Sequence, residues 1–281
     1  MKRFIYLAIA LLACLVPALA QAQTPSSGAD LWDRAAYGSV PGVAFVRLEG
    51  NNGAVTTTLE PVWPESSAYT FLTGNMSSPT ISSTSANDTA AGTGARTVTV
   101  TCVDSTYTVT TGTYSLNGQT GVNVTQNCMT VNSMVVATAG SGGVAAGSVY
   151  VGTGLISVGK PTIVHGIIAA GVNKTQSFIY AVPANKSLIC RQWYASSIST
   201  TAGGHVVAID TSTNAGLIIR ANLPGYANTN EMFLSDYEIL FPAKTQLMMQ
   251  ISASAGTGPV YANANCLLID ASSSNPNQVA F

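Results

Sequence analysis

Charge is what this sequence has least of. Only 8% of its 281 residues are charged, 11 basic and 12 acidic, where an average soluble chain carries roughly a quarter. Histidine is scarcer still, with two residues. Each shortage excludes something. A disordered, solvating chain needs high net charge, and the formal net charge here is −1. A nucleic-acid binder needs a basic stripe to neutralise phosphates, and these basic residues are few and scattered. A polytopic membrane protein needs repeated apolar runs of about 20 residues, and only one run comes close. Ser, Thr, Asn, Gly and Ala fill the space that charge leaves. The result is a neutral, polar, globular chain of one large or two ordinary domains.

The one apolar run lies at the start. Lys2 and Arg3 precede an apolar stretch from Phe4 to Val16, followed by the small residues of Pro17-Ala18-Leu19-Ala20-Gln21-Ala22. This is the layout of a secretory signal peptide over residues 1–22, with cleavage expected after Ala20 or Ala22. The alternatives are an uncleaved anchor and lipidation at Cys14; either way, membrane contact is expected only through this segment. Residues 23–41 read as a linker or arm, with a short apolar hint at Leu31-Trp32.

Removing the signal takes Cys14 away and leaves Cys102, Cys128, Cys190 and Cys266. An even count in an exported chain suggests disulfides, although four cysteines allow three connectivities. If the chain divides into two domains as below, Cys102–Cys128 and Cys190–Cys266 keep each bridge local. The alternative is four free buried thiols. No C-x-x-C pair occurs and neither His165 nor His205 is spaced to share a metal with a cysteine, so no metal and no cofactor is expected.

From Gly42 onward the pattern is of strands. Val43–Leu48, Ala54–Leu59 and Ala68–Leu72 are the first, and Thr97-Val-Thr-Val-Thr alternates apolar and hydroxyl residues with period 2. Tyr107–Thr110 and Val122–Thr125 repeat the alternation, with Asn117-Gly118 between them as a hairpin signal. Further strands are expected at Met134–Thr138, Ser148–Val151, Ser177–Val182, Leu188–Tyr194, His205–Ile209, Leu217–Arg220, Asp236–Phe241, Leu247–Ser252 and Asn265–Ile269. No segment shows a convincing helical period. The predicted fold is all-β: two tandem antiparallel β-sandwich, jelly-roll-like domains, at 42–158 and 159–271, with a flexible tail at 272–281.

The stretch Ser85-Ala-Asn-Asp-Thr-Ala-Ala-Gly-Thr-Gly-Ala-Arg-Thr-Val98 resembles a motif of a family of phage and viral proteins. Val62-Trp63-Pro64, Val103-Asp104, Leu116-Asn117-Gly118, Val131-Asn132 and Ala139-Gly140-Ser141-Gly142 fit the family in order and spacing, over about residues 42–155. Val182-Pro183-Ala184-Asn185-Lys186 and Phe241-Pro242-Ala243-Lys244-Thr245 are similar to turns of the domain that often follows. The family usually has Gly where Cys102 stands and an apolar residue near Cys128, so gaining both cysteines fits a bridge between them. The resemblance implies a virion-associated β-sandwich protein that assembles with copies of itself and other virion proteins.

Catalytic patterns are absent. There is no Gly-x-Ser-x-Gly elbow. Gly92-Thr-Gly94-Ala-Arg96 lacks the third glycine and the lysine of a phosphate loop, and reads as a tight turn. Asp88 and Arg96 flank that turn and could pair across it, a pair that would fix the loop rather than act on a substrate; Asp104 reads as a turn former. His165 and His205 sit in apolar strands and read as structural. Trp193, Tyr194 and Tyr226 are the candidate partner-binding aromatics, with a core role for Trp193 as the alternative.

The sequence thus predicts a non-enzymatic structural protein of a phage or virus particle: decoration, fibre or attachment component, homo-oligomeric. The alternative is an exported bacterial surface protein that binds a glycan or protein partner. The expected location is the virion, or the cell surface and exterior. Nucleic acid is not an expected partner.

Overall fold

The computed structural model describes residues 30–65, 68–197, 202–210, 218–223, 238–253 and 256–270, with backbone alone for Ser197 and for 202–210 and 218–223. The signal segment, Tyr226, the 272–281 tail and the His205 side chain lie outside this description. Within the expected arm, Leu31–Ala36 forms a six-residue helix, α1. Asp33 in its first turn and Arg34 in its last match the helix dipole.

The body from Gly42 onward is all-β, in four antiparallel sheets. In chain order the strands are β1 (Val43–Val55), β2 (Glu60–Pro61), β3 (Thr80–Ser83), β4 (Ala95–Val103), β5 (Val109–Ser115), β6 (Val122–Asn123), β7 (Thr130–Ala139) and β8 (Val149–Ser157). They continue as β9 (Lys160–Ile168), β10 (Ile179–Ala181), β11 (Lys186–Ser197), β12 (Ala202–Asp210), β13 (Ile218–Leu223), β14 (Ile239–Phe241), β15 (Thr245–Ala253) and β16 (Gly258–Asp270). Sheets β6-β3-β8-β9 and β5-β4-β7 face each other over a core that includes Ile81, Val98, Val100, Met134, Val149 and Val151. Sheets β1-β16-β11-β14 and β10-β15-β12-β13 enclose a second core with Leu48, Phe178, Trp193, Phe241, Leu247 and Met249; β2 also pairs with β15.

Strand pairing crosses the expected 158/159 division in three places, one of them the β2–β15 pair. β1 pairs with β16 along its whole length, and β9 pairs with β8. The first sandwich therefore occupies a continuous stretch, β3 to β9, inserted between β2 and β10 of the second. The physical reason is that alternation fixes which side chains share a face, not which strand completes the sheet. Val46 and Leu48 turn toward the second core, and β16 supplies Ala262, Ala264 and Cys266 to the same core.

Three local expectations also change. Ala54–Leu59 is not a separate strand, because β1 runs on from Val43 to Val55 and residues 56–59 turn away from the sheet. Ala68–Leu72 is not a strand: Tyr69 and Phe71 pack with Trp63, Tyr150, Ile167, Ile179 and Met248 in a wedge between the sandwiches. Asn117-Gly118 is not a hairpin, because β5 pairs with β4 while β6 pairs with β3. Gly118 does have positive φ, +58°, and its turn crosses from one sheet to the other.

Period-2 alternation also builds the joint. On β8, Val149 and Val151 enter the first core while Tyr150 points to the wedge; on β15, Leu247 and Met249 enter the second core while Met248 meets the wedge from the other side. Polar ties flank it: Thr130 Oγ1 donates to Gln246 Oε1 at 2.9 Å, and Asn132 exchanges two 2.8 Å bonds with the Ala181 backbone.

Candidate functional site

The motif around Asp88 is a buried clamp. Asp88 is fully buried. Its Oδ1 accepts the Ala95 and Ala146 N–H groups at 2.7 and 2.9 Å. Its Oδ2 accepts the Gly147 N–H at 2.9 Å and the Ser83 hydroxyl at 2.5 Å. The carboxylate thus ties β3, the head of β4 and the loop before β8 together, and the Asp88 backbone carbonyl holds the Gly118 N–H at 2.8 Å. Gly94 is required here: a Cβ would sit 2.1 Å from Asp88 Oδ1, and one on Gly92 would sit 2.0 Å from the Asn87 carbonyl. Arg96 does not pair with Asp88. Its Nε donates to the Gly92 carbonyl at 3.0 Å, closing the turn by itself. The Asp88 carboxylate is scaffold, shut away beneath the exposed Asn87 and Thr93.

Asp104 forms its turn as expected from its chemistry, accepting from the Thr106 hydroxyl and the Thr106 and Thr108 amides. Partial burial pulls its carboxyl pKa up, but those three donors outweigh it and leave the pKa below the ordinary carboxylate value.

Both cysteine pairs are closed, Cys102 to Cys128 and Cys190 to Cys266. Cys190 and Cys266 are direct partners on β11 and β16. Three residues on, Trp193 also points inward, which a regular strand forbids. A bulge between Arg191 and Tyr194, with Gln192 at φ +55°, reverses the alternation and sends Trp193 to the core. There it is fully buried against Phe178 and Phe241, so the candidate partner-binding role falls to core packing. Tyr194 is left half-buried beside it.

Cavities lined by described residues include two of note. One of about 610 Å³ lies between the 68–77 segment and β8–β9, lined by Thr70, Asn75, Ser77, Thr162 and His165 among others. His165 is only 6% exposed and its Nδ1 has no hydrogen-bond partner. Burial holds its pKa below the ordinary histidine value. His165 is the one titratable residue lining this cavity, and among the described residues no three His, Cys, Asp or Glu gather to hold a metal.

The other cavity, about 380 Å³, lies at the seam where β1 meets the β5-β4-β7 sheet. Phe45, Arg47 and Glu49 alternate with Val46 and Leu48, which turn inward, and so share the outer face of β1. Residues 173–177 bridge the seam. The Val136 and Thr175 amides bond across to Asn173 and Met134, and the Asn51 amide donates to the Gln176 carbonyl. That placement brings Lys174 Nζ to 3.6 Å from Glu49 Oε2, while Arg47 Nε lies 3.2 Å from Glu49 Oε1. The sequence reading missed this trio. Its signal is legible, a Phe-x-Arg-x-Glu alternation in a chain otherwise short of charge, but Lys174 is remote in sequence.

No family model matches the chain, and no curated protein matches it. Solved structures with some likeness include the infectious bursal disease virus VP2 subviral particle, at 11% identity and TM-score 0.28, covering 83% of this chain and 74% of that one. The infectious bursal disease virus Gt strain structure gives 11% identity and TM-score 0.26, over 84% and 75%. The T=1 particles derived from that virus give 12% and 0.26, over 82% and 70%. At such values, role has to be argued from the chain itself.

Proposed function

We propose that this chain is a non-enzymatic structural protein, packing against copies of itself and other proteins at the surface of a phage or virus particle. Capsid decoration, fibre and attachment component are the roles this covers. The observation that carries the reading is the outer face of the β5-β4-β7 sheet. Thr97, Thr99 and Thr101 of β4 stand opposite Ser115, Thr113 and Thr111 of β5. Hydroxyls bond across the strands, Thr99 to Thr113 at 2.9 Å and Thr97 to Thr138 at 2.7 Å. Arg96 is the only charged residue in the three strands. Such a face loses little side-chain entropy and desolvates no charge when another surface covers it. Leu155 and Val158, 85% and 70% exposed on the β8–β9 hairpin, add apolar surface of the kind that assembly buries.

The two disulfides fit an oxidising location outside the cytoplasm. The second reading, an exported bacterial surface protein, draws on the signal-like N-terminal segment, which a particle protein assembled in the cytoplasm would not need.

Sedimentation velocity tests the proposal. The mature chain should form a defined oligomer, and Thr99→Lys with Thr113→Lys should dissociate it without lowering its melting temperature. A chain that stays monomeric at every concentration would overturn it.

A further inference from the structure

The seam cleft concentrates charge where the rest of the surface has little, and assembly through the threonine face gives it no task. Arg47 and Lys174 share one carboxylate, Glu49, so the trio carries one uncompensated positive charge. Two residues before Arg47 on the same outer face, Phe45 is 40% exposed. The cleft is also lined by Ser177, whose Oγ is shut from solvent with no hydrogen-bond partner. Tyr180, more than nine-tenths buried, also lines the same cavity. A single net cation beside an aromatic surface and unsatisfied hydroxyl chemistry is a specific combination.

We infer that this cleft binds a monosaccharide bearing a carboxylate, its acid group on Arg47 and Lys174 and the C–H face of its ring on Phe45. The charge balance favours a monoanion: a phosphate dianion would meet one free cation and the Glu49 carboxylate. The guanidinium fork of Arg47 matches a carboxylate, and Lys174 adds a point charge. The lining adds Ser177 and Tyr180, hydroxyl-bearing residues that a simple fatty acid could not use. A volume of about 380 Å³ is at the small end of ligand sites and suits one ring rather than a peptide. The cleft borders the threonine face at Thr101, so the inference rests on assembly contacts that leave the β1 side of the seam open.

The test is titration of the full mature chain with N-acetylneuraminic acid and with glucuronic acid, followed by amide chemical shifts, with glucose and acetate as comparisons. At least one sugar acid should shift the amides of Arg47, Lys174 and Ser177 and bind at least tenfold more tightly than glucose or acetate. Lys174→Met should weaken that binding about fivefold or more, and Phe45→Ala should weaken it too; both side chains are exposed, so folding survives. Glu49→Gln should tighten it, because removal of the competing carboxylate leaves a second cation free. A structural role for Glu49 would give no such gain. No response to either acid, acetate binding as tightly as both, or Glu49→Gln weakening the complex would each overturn the inference.

Discussion

The two sandwiches solve the same packing problem by different routes. The first, β3 to β9, is continuous in sequence and closed from within: a bridge spanning 26 residues and the four-donor clamp on Asp88 tie neighbouring loops. The second is assembled from both ends of the body, with β1 laid against β16 and a bridge spanning 76 residues. Local closure leaves the first sandwich free to present a plain outer sheet, whereas the discontinuous second sandwich creates the seam. The charged cleft at the seam follows from chain topology, since Arg47 and Lys174 meet because β1 returns to the second sandwich.

The largest expected effect is on the longer bridge. Loop-closure entropy predicts a loss of about 4.5 kcal/mol for Cys190→Ala with Cys266→Ala, against about 3.5 kcal/mol for the Cys102–Cys128 pair. Urea denaturation of the two double variants checks the order, and a reversed order would break the comparison. Asp88→Ala comes next. It strands the buried N–H groups of Ala95 and Gly147 and the part-buried one of Ala146, and should cost about 3 kcal/mol. Hydrogen exchange should show the loss in β3, β4 and β8 while β11 and β16 keep their protection; equal loss in both sandwiches would mean they do not differ in how they are closed.

Two smaller effects depend on pH. The His165 pKa is depressed in the fold, so the unfolded chain takes up a proton first as pH falls. Stability is complete above the unfolded value near 6.5 and declines as pH falls below it, at no more than about 1.4 kcal/mol per pH unit for one proton. His165→Leu should flatten that slope in thermal melts between pH 7.5 and 5. Asp104 is the smallest case. Its depressed pKa means the turn keeps its contribution above the unfolded carboxylate value and loses it as pH falls through the folded one. The Thr106 and Thr108 amides should lose exchange protection there, with the global melt nearly unchanged.

How much of this was legible in the sequence depends on the kind of contact. The alternation of Thr97 to Thr101 predicts a half-buried strand, and β4 is one, with Val98 and Val100 in the core. The local bridges follow from spacing once each pair lies in one sandwich. The β1–β16 pairing does not, because a period-2 pattern is the same whichever partner completes the sheet. Arg96 is the partner that charge alone suggests for Asp88, whereas three of its four donors are backbone amides, which leave no trace in residue type. Trp193 was open between surface and core because only the bulge at Gln192 decides its side. The candidate site was the least legible part: Phe45, Arg47 and Glu49 are visible as an outward row, but nothing local announces Lys174.

The most direct test of the structural role is mass spectrometry of gradient-purified particles from the culture that yields this sequence. The account predicts the chain in stoichiometric amount with the other particle proteins. Absence from the particles, with a mature form starting near Gln21 in the envelope or medium, would contradict it.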